Sequence, residues 1–268
     1  MMPESPLRTF SKLTLTLAEA RRAFYLDFEG PQDAPPSFAG LRYDDDDGSV
    51  HFEQTILEDG LRATLTLEKP VCHWWPKGFA ARDGGEAQGA QVRPQRVAAS
   101  LGQFIRSLVE RAEHSDRLIV SWSSHEATVV CSAAEVQDDI QKRFIARWRD
   151  GKRTCKRWRR VQAQGASLSQ GHQLKQYLRM VGYDVPAHFG DRQASARIAA
   201  VRKQIAVRPD ASRLTAVAKA KWTKVLDYNW HDCNGLRELT IIASGATPKK
   251  ATATTAQDEA SSNLPDIR

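Results

Sequence analysis

Ala23-Phe24-Tyr25-Leu26-Asp27-Phe28-Glu29-Gly30 alternates aromatic and branched residues along its length and closes on a glycine, the pattern of a β-strand. Successive strand side chains point to opposite faces. Phe24, Leu26 and Phe28 therefore share one face, and Tyr25, Asp27 and Glu29 share the other. Carboxylates two residues apart on one face repel each other unless a cation sits between them. Paired hard oxygens of this kind suit Mg²⁺ or Mn²⁺. The same pattern also describes a half-buried strand with two solvated acids on its wet face. The choice turns on whether the rest of the chain supplies more ligands.

Working outward, a Pro-rich link from Pro31 to Pro36 leads to two further strands, Ser37 to Tyr43 and Val50 to Leu57. Asp44-Asp45-Asp46-Asp47-Gly48 joins them, and Asp-Gly between apolar alternations is a hairpin signal. A calcium loop with Gly48 in sixth place would need acids at Tyr43 and Gln54, so the aspartates read as a solvated turn. Before the first strand, residues 1–19 form an N-terminal extension that includes the alternating piece Leu13-Thr14-Leu15-Thr16-Leu17. They carry Glu4 and Glu19 and lack an apolar run, which is unlike a secretory signal.

Beyond the hairpin, Leu65 to Leu67 reads as a strand and Val71 to Pro76 as an aromatic corner. Ala80 to Gln91 reads as an exposed loop. Trp74 and Trp75 suit either a core or a base-stacking platform. Helical periodicity runs from Pro94 to Glu113 through Val97, Leu101, Ile105, Leu108 and Val109. A buried strand, Arg117 to Ser123, then runs into Ser124-His125-Glu126, where a helix begins. Glu126 thus stands at a strand-to-helix crossing, a common place for a site residue. An acid in a first helical turn also simply suits the helix dipole.

Gln141 to Arg160 concentrates Lys142, Arg143, Arg147, Arg149, Lys152, Arg153, Lys156, Arg157, Arg159 and Arg160 around Trp148 and Trp158, with Asp150 as its one acid. Clustered cations with aromatics suit backbone tracking and base stacking on a nucleic acid. A solvated helix-loop-helix surface would read similarly. Leu168 to Val185 carries a helix ended by Gly182 and Pro186, and Ala194 to Val207 another. Ser212 caps a last helical region from Leu214 to about Ile242, in which Gly235 costs about 1 kcal/mol relative to Ala and leaves room for a kink or break. Residues 244–268 read as a disordered tail.

With 39 Lys and Arg against 32 Asp and Glu, the net charge of +7 favours a polyanionic partner modestly. Cys72, Cys131, Cys155 and Cys233 are too scattered for a zinc site or a disulfide framework and read as reduced thiols. No apolar run approaches a membrane span. Together these features lead to the expectation of a cytoplasmic protein without a membrane partner.

Tyr228-Asn229-Trp230-His231-Asp232 lies in the last helix, where the four-residue spacing puts Tyr228 and Asp232 on one face. A phenol beside a carboxylate can hold a metal and orient a water. The succession of Phe24-Tyr25-Leu26-Asp27-Phe28-Glu29, a hairpin, a strand ending in an acid, and Tyr-x-x-x-Asp resembles the DEDD exonucleases of the ribonuclease H-like superfamily in their tyrosine-bearing form. The nearest likeness is to the YprB-like ribonuclease H-like domains, over about residues 20–243. The helix Gln173-Leu174-Lys175-Gln176-Tyr177-Leu178-Arg179-Met180-Val181-Gly182 resembles one of theirs. Glu126 stands where that family carries the aspartate of its second motif.

The resemblance implies an α/β fold: a ribonuclease H-like mixed sheet, antiparallel hairpin strands beside the first strand, and helices on both faces. The domain would span 20–243 with a basic helical insertion at about 141–165. It further implies that Asp27, Glu29 and Asp232 hold one Mg²⁺ or Mn²⁺, and that Asp27 bridges to a second supported by Glu126. Tyr228 would orient the attacking water. The implied activity is 3′→5′ exonucleolytic cleavage of single-stranded DNA or RNA. Arg147, Lys152, Arg153, Lys156, Arg157, Trp158, Arg159, Arg160 and Lys175 would contact the nucleic acid. A non-catalytic nucleic-acid-binding module with the same fold is the alternative, and a basic face that docks an acidic protein is a third reading.

Overall fold

The computed structural model describes residues 14–31, 34–64, 95–162, 172–186, 193–209 and 214–245. The readings for Leu65–Leu67, 71–76 and 80–91, Trp74 and Trp75 among them, fall outside these residues, as do the Ser212 cap and the tail beyond Gly245; residues 244 and 245, read as the start of that tail, belong to the last helix.

Strand β1 (Phe24–Glu29) is central, and its two faces bury different things. Phe24, Leu26 and Phe28 enter a core with Ile105, Leu108 and Phe144. Tyr25 enters a separate core with Cys155, Tyr177, Leu178 and Leu236. Strands β2 (Phe38–Asp44) and β3 (Val50–Ile56) form the expected antiparallel hairpin, closed by Gly48 at φ 84°, a left-handed conformation that glycine adopts without strain. Strand β2 pairs antiparallel with β1, placing Asp27 opposite Gly40 and Glu29 opposite Phe38.

The chain enters β1 from α1 (Leu17–Arg22), where Thr16 and Glu19 form a capping box. Within the alternating piece, Thr16 starts a helix. Helix α2 (Asp59–Thr64) follows the hairpin. Two elements then replace the single helix expected from Pro94. Gln95–Ala98 is strand β4, parallel to β3, and Ser100 caps α3 (Leu101–His114). The helical spacing of Val97 with Leu101 is thus a coincidence across a strand-helix boundary.

Strand β5 (Ile119–Ser121) pairs parallel to β1, and α4 (His125–Ser132) follows at once. Helix α5 (Asp138–Arg147) leads into β6 (Trp148–Asp150), which pairs parallel to β5 inside the stretch read as a basic helical insertion. Trp148 is fully buried, and its Nε1 donates to Ser121 Oγ at 2.9 Å. It is a core residue, closed to any stacking base. The sheet order is β4-β3-β2-β1-β5-β6, a mixed α/β sheet.

Helices α6 (Gly151–Gln162), α7 (Leu174–Met180), α8 (Gln193–Val207) and α9 (Ala216–Gly245) complete the described chain. One side of the sheet packs on α3, α4 and α5. The other packs on α9 with α8 at one end and with α6 and α7 at the other. Helix α9 starts at Ala216, with Thr215 Oγ1 accepting from the Ala218 amide, and it runs unbroken through Gly235. Gly235 does not break the helix and serves close packing instead: a Cβ there would stand 2.7 Å from Leu178 Cδ1.

Of the aspartate turn, Asp45 to Gly48 is exposed as expected, but Asp44 is not. Asp44 pairs with Arg42 at 2.5 Å and with Arg237 of α9, tying the hairpin to the last helix. Among the described residues, no helix is long and apolar enough to cross a membrane. Cys131, Cys155 and Cys233 are free.

Candidate metal centre

The pleat of β1 aims Asp27 and Glu29 at the side of the sheet that α9 crosses. The crossing is close because β2 carries a glycine there. A Cβ on Gly40 would stand 2.0 Å from Asn229 Oδ1, so only a bare backbone admits this side chain. Asn229 Nδ2 then donates to Asp27 Oδ2 at 2.9 Å, while Gln54 Nε2 of β3 donates to the Leu226 carbonyl one turn earlier. These contacts set the height and rotation of α9. Asp232, three residues after Asn229, is brought over the strand. Ligand oxygens of Asp27, Glu29 and Asp232 lie within 4.8 Å of one another.

In this cluster, burial and mutual repulsion outweigh the compensation that Lys175, Tyr228 and Asn229 supply. Burial, then Glu29, Asp232 and Glu126, push the Asp27 carboxyl well above its ordinary 3.8. Burial and then Asp232 push up Glu29, against the opposing charge of Lys175. Asp232 is pushed up to about 7 by burial, against Lys175 and a hydrogen bond from Tyr228. Glu29 is only 8% exposed, and its Oε1 has no hydrogen-bond partner. An orphaned buried carboxylate oxygen beside two further acids fits a divalent cation, so the triad could hold a metal ion.

Tyr228 stands one turn before Asp232, as its spacing requires, and donates to that carboxylate. Lys175 Nζ of α7 lies over its ring, 5.0 Å from the centroid.

Glu126 does not join the group of three. It is 6% exposed at the start of α4, with Oε2 unpartnered, and burial pushes it up to about 7. Its charge reaches Asp27 and Glu29. It also feels Asp150, which ends β6 and accepts from the Arg153 amide at 3.3 Å. His231 turns to Tyr183, whose hydroxyl lies 3.0 Å from Nδ1, and to Asp227, so it belongs to the frame of the helix. His125 is exposed.

The cations named for nucleic acid divide by position. Arg147 pairs with Asp116 at 2.5 Å, away from the acids. Arg159 is 5% exposed and lies over the Tyr177 ring, 5.0 Å from its centroid. Arg157 and Trp158 line a cavity with Leu15 and Ala243. Arg153 is exposed near the start of α6. Lys152, Lys156 and Arg160 recur at four-residue spacing along a single helical face.

Sequence reasoning did not single out Asn229 or Gly40. The one available signal was a small residue mid-strand, which often marks close backbone approach. Asp150 was visible as the lone acid in a basic run, but its nearness to Glu126 depends on β6 being a strand.

No family model matches the chain, and no curated protein and no solved structure matches it either.

Proposed function

We propose that the chain is a metal-dependent nuclease of ribonuclease H-like fold, related to the tyrosine-bearing DEDD exonucleases and cleaving single-stranded DNA or RNA from the 3′ end. The observation that carries this reading is the meeting of Asp27, Glu29 and Asp232 from a central strand and a distant helix, with ligand atoms within 4.8 Å. Acids brought together at this cost, with Tyr228 on the same helical face, suit phosphodiester hydrolysis better than a structural role. The mixed sheet supports the fold assignment, with its antiparallel hairpin on one side of β1 and parallel strands on the other.

Asp27, Glu29 and Asp232 would hold Mg²⁺ or Mn²⁺, and Asp27 and Glu126 would be the residues to support a second ion. Bound there, two such ions supply the positive charge that stabilises the attacking and leaving oxygens of an in-line phosphoryl displacement. Asn229 holds Asp27 in place by its amide hydrogen bond. Tyr228 orients the attacking water through the hydroxyl that faces Asp232. Lys175 brings a cation beside Tyr228, Glu29 and Asp232, where it would meet the phosphate.

A second reading is a nucleic-acid-binding module without catalysis. It draws on the separation of Glu126 from the three clustered acids, which leaves the second ion less well provided. A 5′-labelled oligonucleotide, DNA and RNA separately, incubated with Mg²⁺, Mn²⁺ or EDTA, decides between them. A metal-dependent ladder shortening from the 3′ end, absent in Asp27→Ala and Asp232→Ala, is the expected result. An intact oligonucleotide that is nonetheless retarded on a gel would favour the binding module.

A further inference from the structure

We propose that the seam between α6 and α7 is a track for one polynucleotide strand, running from the acid cluster over Lys175 and His172 onto Lys152, Lys156 and Arg160. It rests on the nuclease reading only for which end of the track the scissile bond occupies.

The geometry is set by Tyr177. Its ring packs edge-on against Trp122 at the end of β5, with centroids 5.3 Å apart. The buried Arg159 guanidinium of α6 covers it at 5.0 Å, and its hydroxyl lies 2.9 Å from His172 Nδ1. The Lys152 amide donates to the Trp122 carbonyl at 3.2 Å, so α6 starts beside the same strand end. Arg159 thus ties α7 to the last turn of α6, while the first turn of α6 is anchored at Trp122.

Two consequences follow for charge. Lys175, two residues before Tyr177, is delivered to Tyr228, Glu29 and Asp232. His172, three residues before Lys175, is exposed and stands near the cations of α6. Desolvation and then Lys156, Lys152, Arg159 and Arg160 hold its imidazole below the ordinary value. These cations repel one another, and Asp150 offsets Lys152 and Lys156 only in part. Among the described residues no ion pair engages Lys152, Lys156 or Arg160, whereas Arg143 and Arg147 nearby are paired with Glu113 and Asp116.

Four-residue spacing separates these cations by about 6 Å along the helix axis, close to the phosphate repeat of an extended strand. A row of this kind that starts at an acid cluster suits a polyanion whose one end enters the cluster. Nucleic acid meets that description.

Binding of a 5′-fluorescein single-stranded 15-mer, followed by anisotropy in EDTA so that no cleavage intervenes, tests the track. In the triple variant Lys152→Glu, Lys156→Glu, Arg160→Glu, the Kd should rise at least ~30-fold, and the salt slope should fall by about 2, as expected for three lost phosphate contacts. A matched reversal, Lys203→Glu on α8, Arg208→Glu just after it and Lys224→Glu on α9, should change the Kd less than ~3-fold. The thermal shift with Mn²⁺ should be the same in the first variant as in the wild type, which shows the acid cluster intact. If the reversal prevents folding, the neutral triple with Gln at the same positions should still weaken binding about 10-fold. Unchanged affinity, an equal loss in the control, or no binding by the wild type would overturn the track. A wild type that binds the strand through these residues but never cleaves it would sink the nuclease reading alone. A wild type that cleaves, with a triple variant that binds equally well, would sink the track alone.

Discussion

Removing the charge of Asp27 should act in opposite directions on folding and on metal binding. Its carboxyl is crowded by Glu29, Asp232 and Glu126 in a desolvated place, so ionising it opposes the folded state. Asp27→Asn keeps the shape and the contact with Asn229 while removing that repulsion. In EDTA the variant should melt no lower than the wild type, but the Mn²⁺ shift and the metal-dependent cleavage should both vanish. A wild-type Mn²⁺ shift in Asp27→Asn would remove this residue from the site. The same physics predicts a pH dependence. Asp232 and Glu126 are both raised to about 7 from ordinary values of 3.8 and 4.5. A carboxyl raised on folding adds stability that is complete below its unfolded pKa and is lost as pH climbs through its folded one. Metal-free protein should therefore lose melting temperature between about pH 4 and pH 7. The increment from Mn²⁺ should grow over that window, because the ion replaces protons. A flat melting temperature in EDTA from pH 4.5 to 8 would contradict the clustering.

Between elements, the contact that matters most is α9 against β2. The glycine at position 40 leaves room for Asn229, and the added methyl of Gly40→Ala would meet its side-chain oxygen at 2.0 Å. That oxygen belongs to a fully buried side chain already committed to Asp27, so it has little freedom to withdraw. Gly40→Ala should destabilise the protein by about 1–3 kcal/mol, as overpacking does, and should abolish the Mn²⁺ shift by lifting Asp232 from the strand. Gly235→Ala makes a useful contrast. Its methyl would meet the far end of Leu178, and alanine is favoured over glycine inside a helix by about 1 kcal/mol. It should leave the Mn²⁺ shift intact and change stability less than Gly40→Ala. Equal loss of the metal response in both variants, measured by thermal shift, would argue against a specific role for the Gly40 contact.

At the scale of the whole molecule, β1 and α9 supply the clustered acids while lying about two hundred residues apart in the chain (Asp27 to Asp232). An ion bound across that distance stabilises only the folded form. At a free concentration of 100 times its Kd, the stabilisation is about 2.7 kcal/mol. For a domain of this size that raises the melting temperature by about 5–10 °C. Mg²⁺ or Mn²⁺ in a calorimetric scan, reversed by EDTA, is the check, and absence of a shift at millimolar metal would remove the cation from the site. Helix α9 also spans both packing groups on its side of the sheet, through Trp222, Val225, Leu226 and Trp230 in one and Leu236 and Leu239 in the other. A metal bound there would therefore be coupled to the stability of the whole described fold rather than to a local loop.

Much of this was legible from residue patterns alone. The period of two in Phe24 to Glu29 put both acids on one face, Asp-Gly closed the hairpin, and Tyr-x-x-x-Asp put phenol and carboxylate on one helical face. These are local matters, decided by backbone geometry over a few residues. The strands β4 and β6, at four and three residues, are too short to carry a period and exist because a neighbouring strand offers hydrogen bonds. Trp148 and Arg159 look like exposed members of a basic run until the sheet and Tyr177 bury them. The partnership of Gly40 with Asn229, the separation of Glu126 from the triad and the seating of Lys175 over Tyr228 depend on distances between segments remote in the chain. Such distances follow from how side chains of different elements pack, and no spacing along the sequence encodes them.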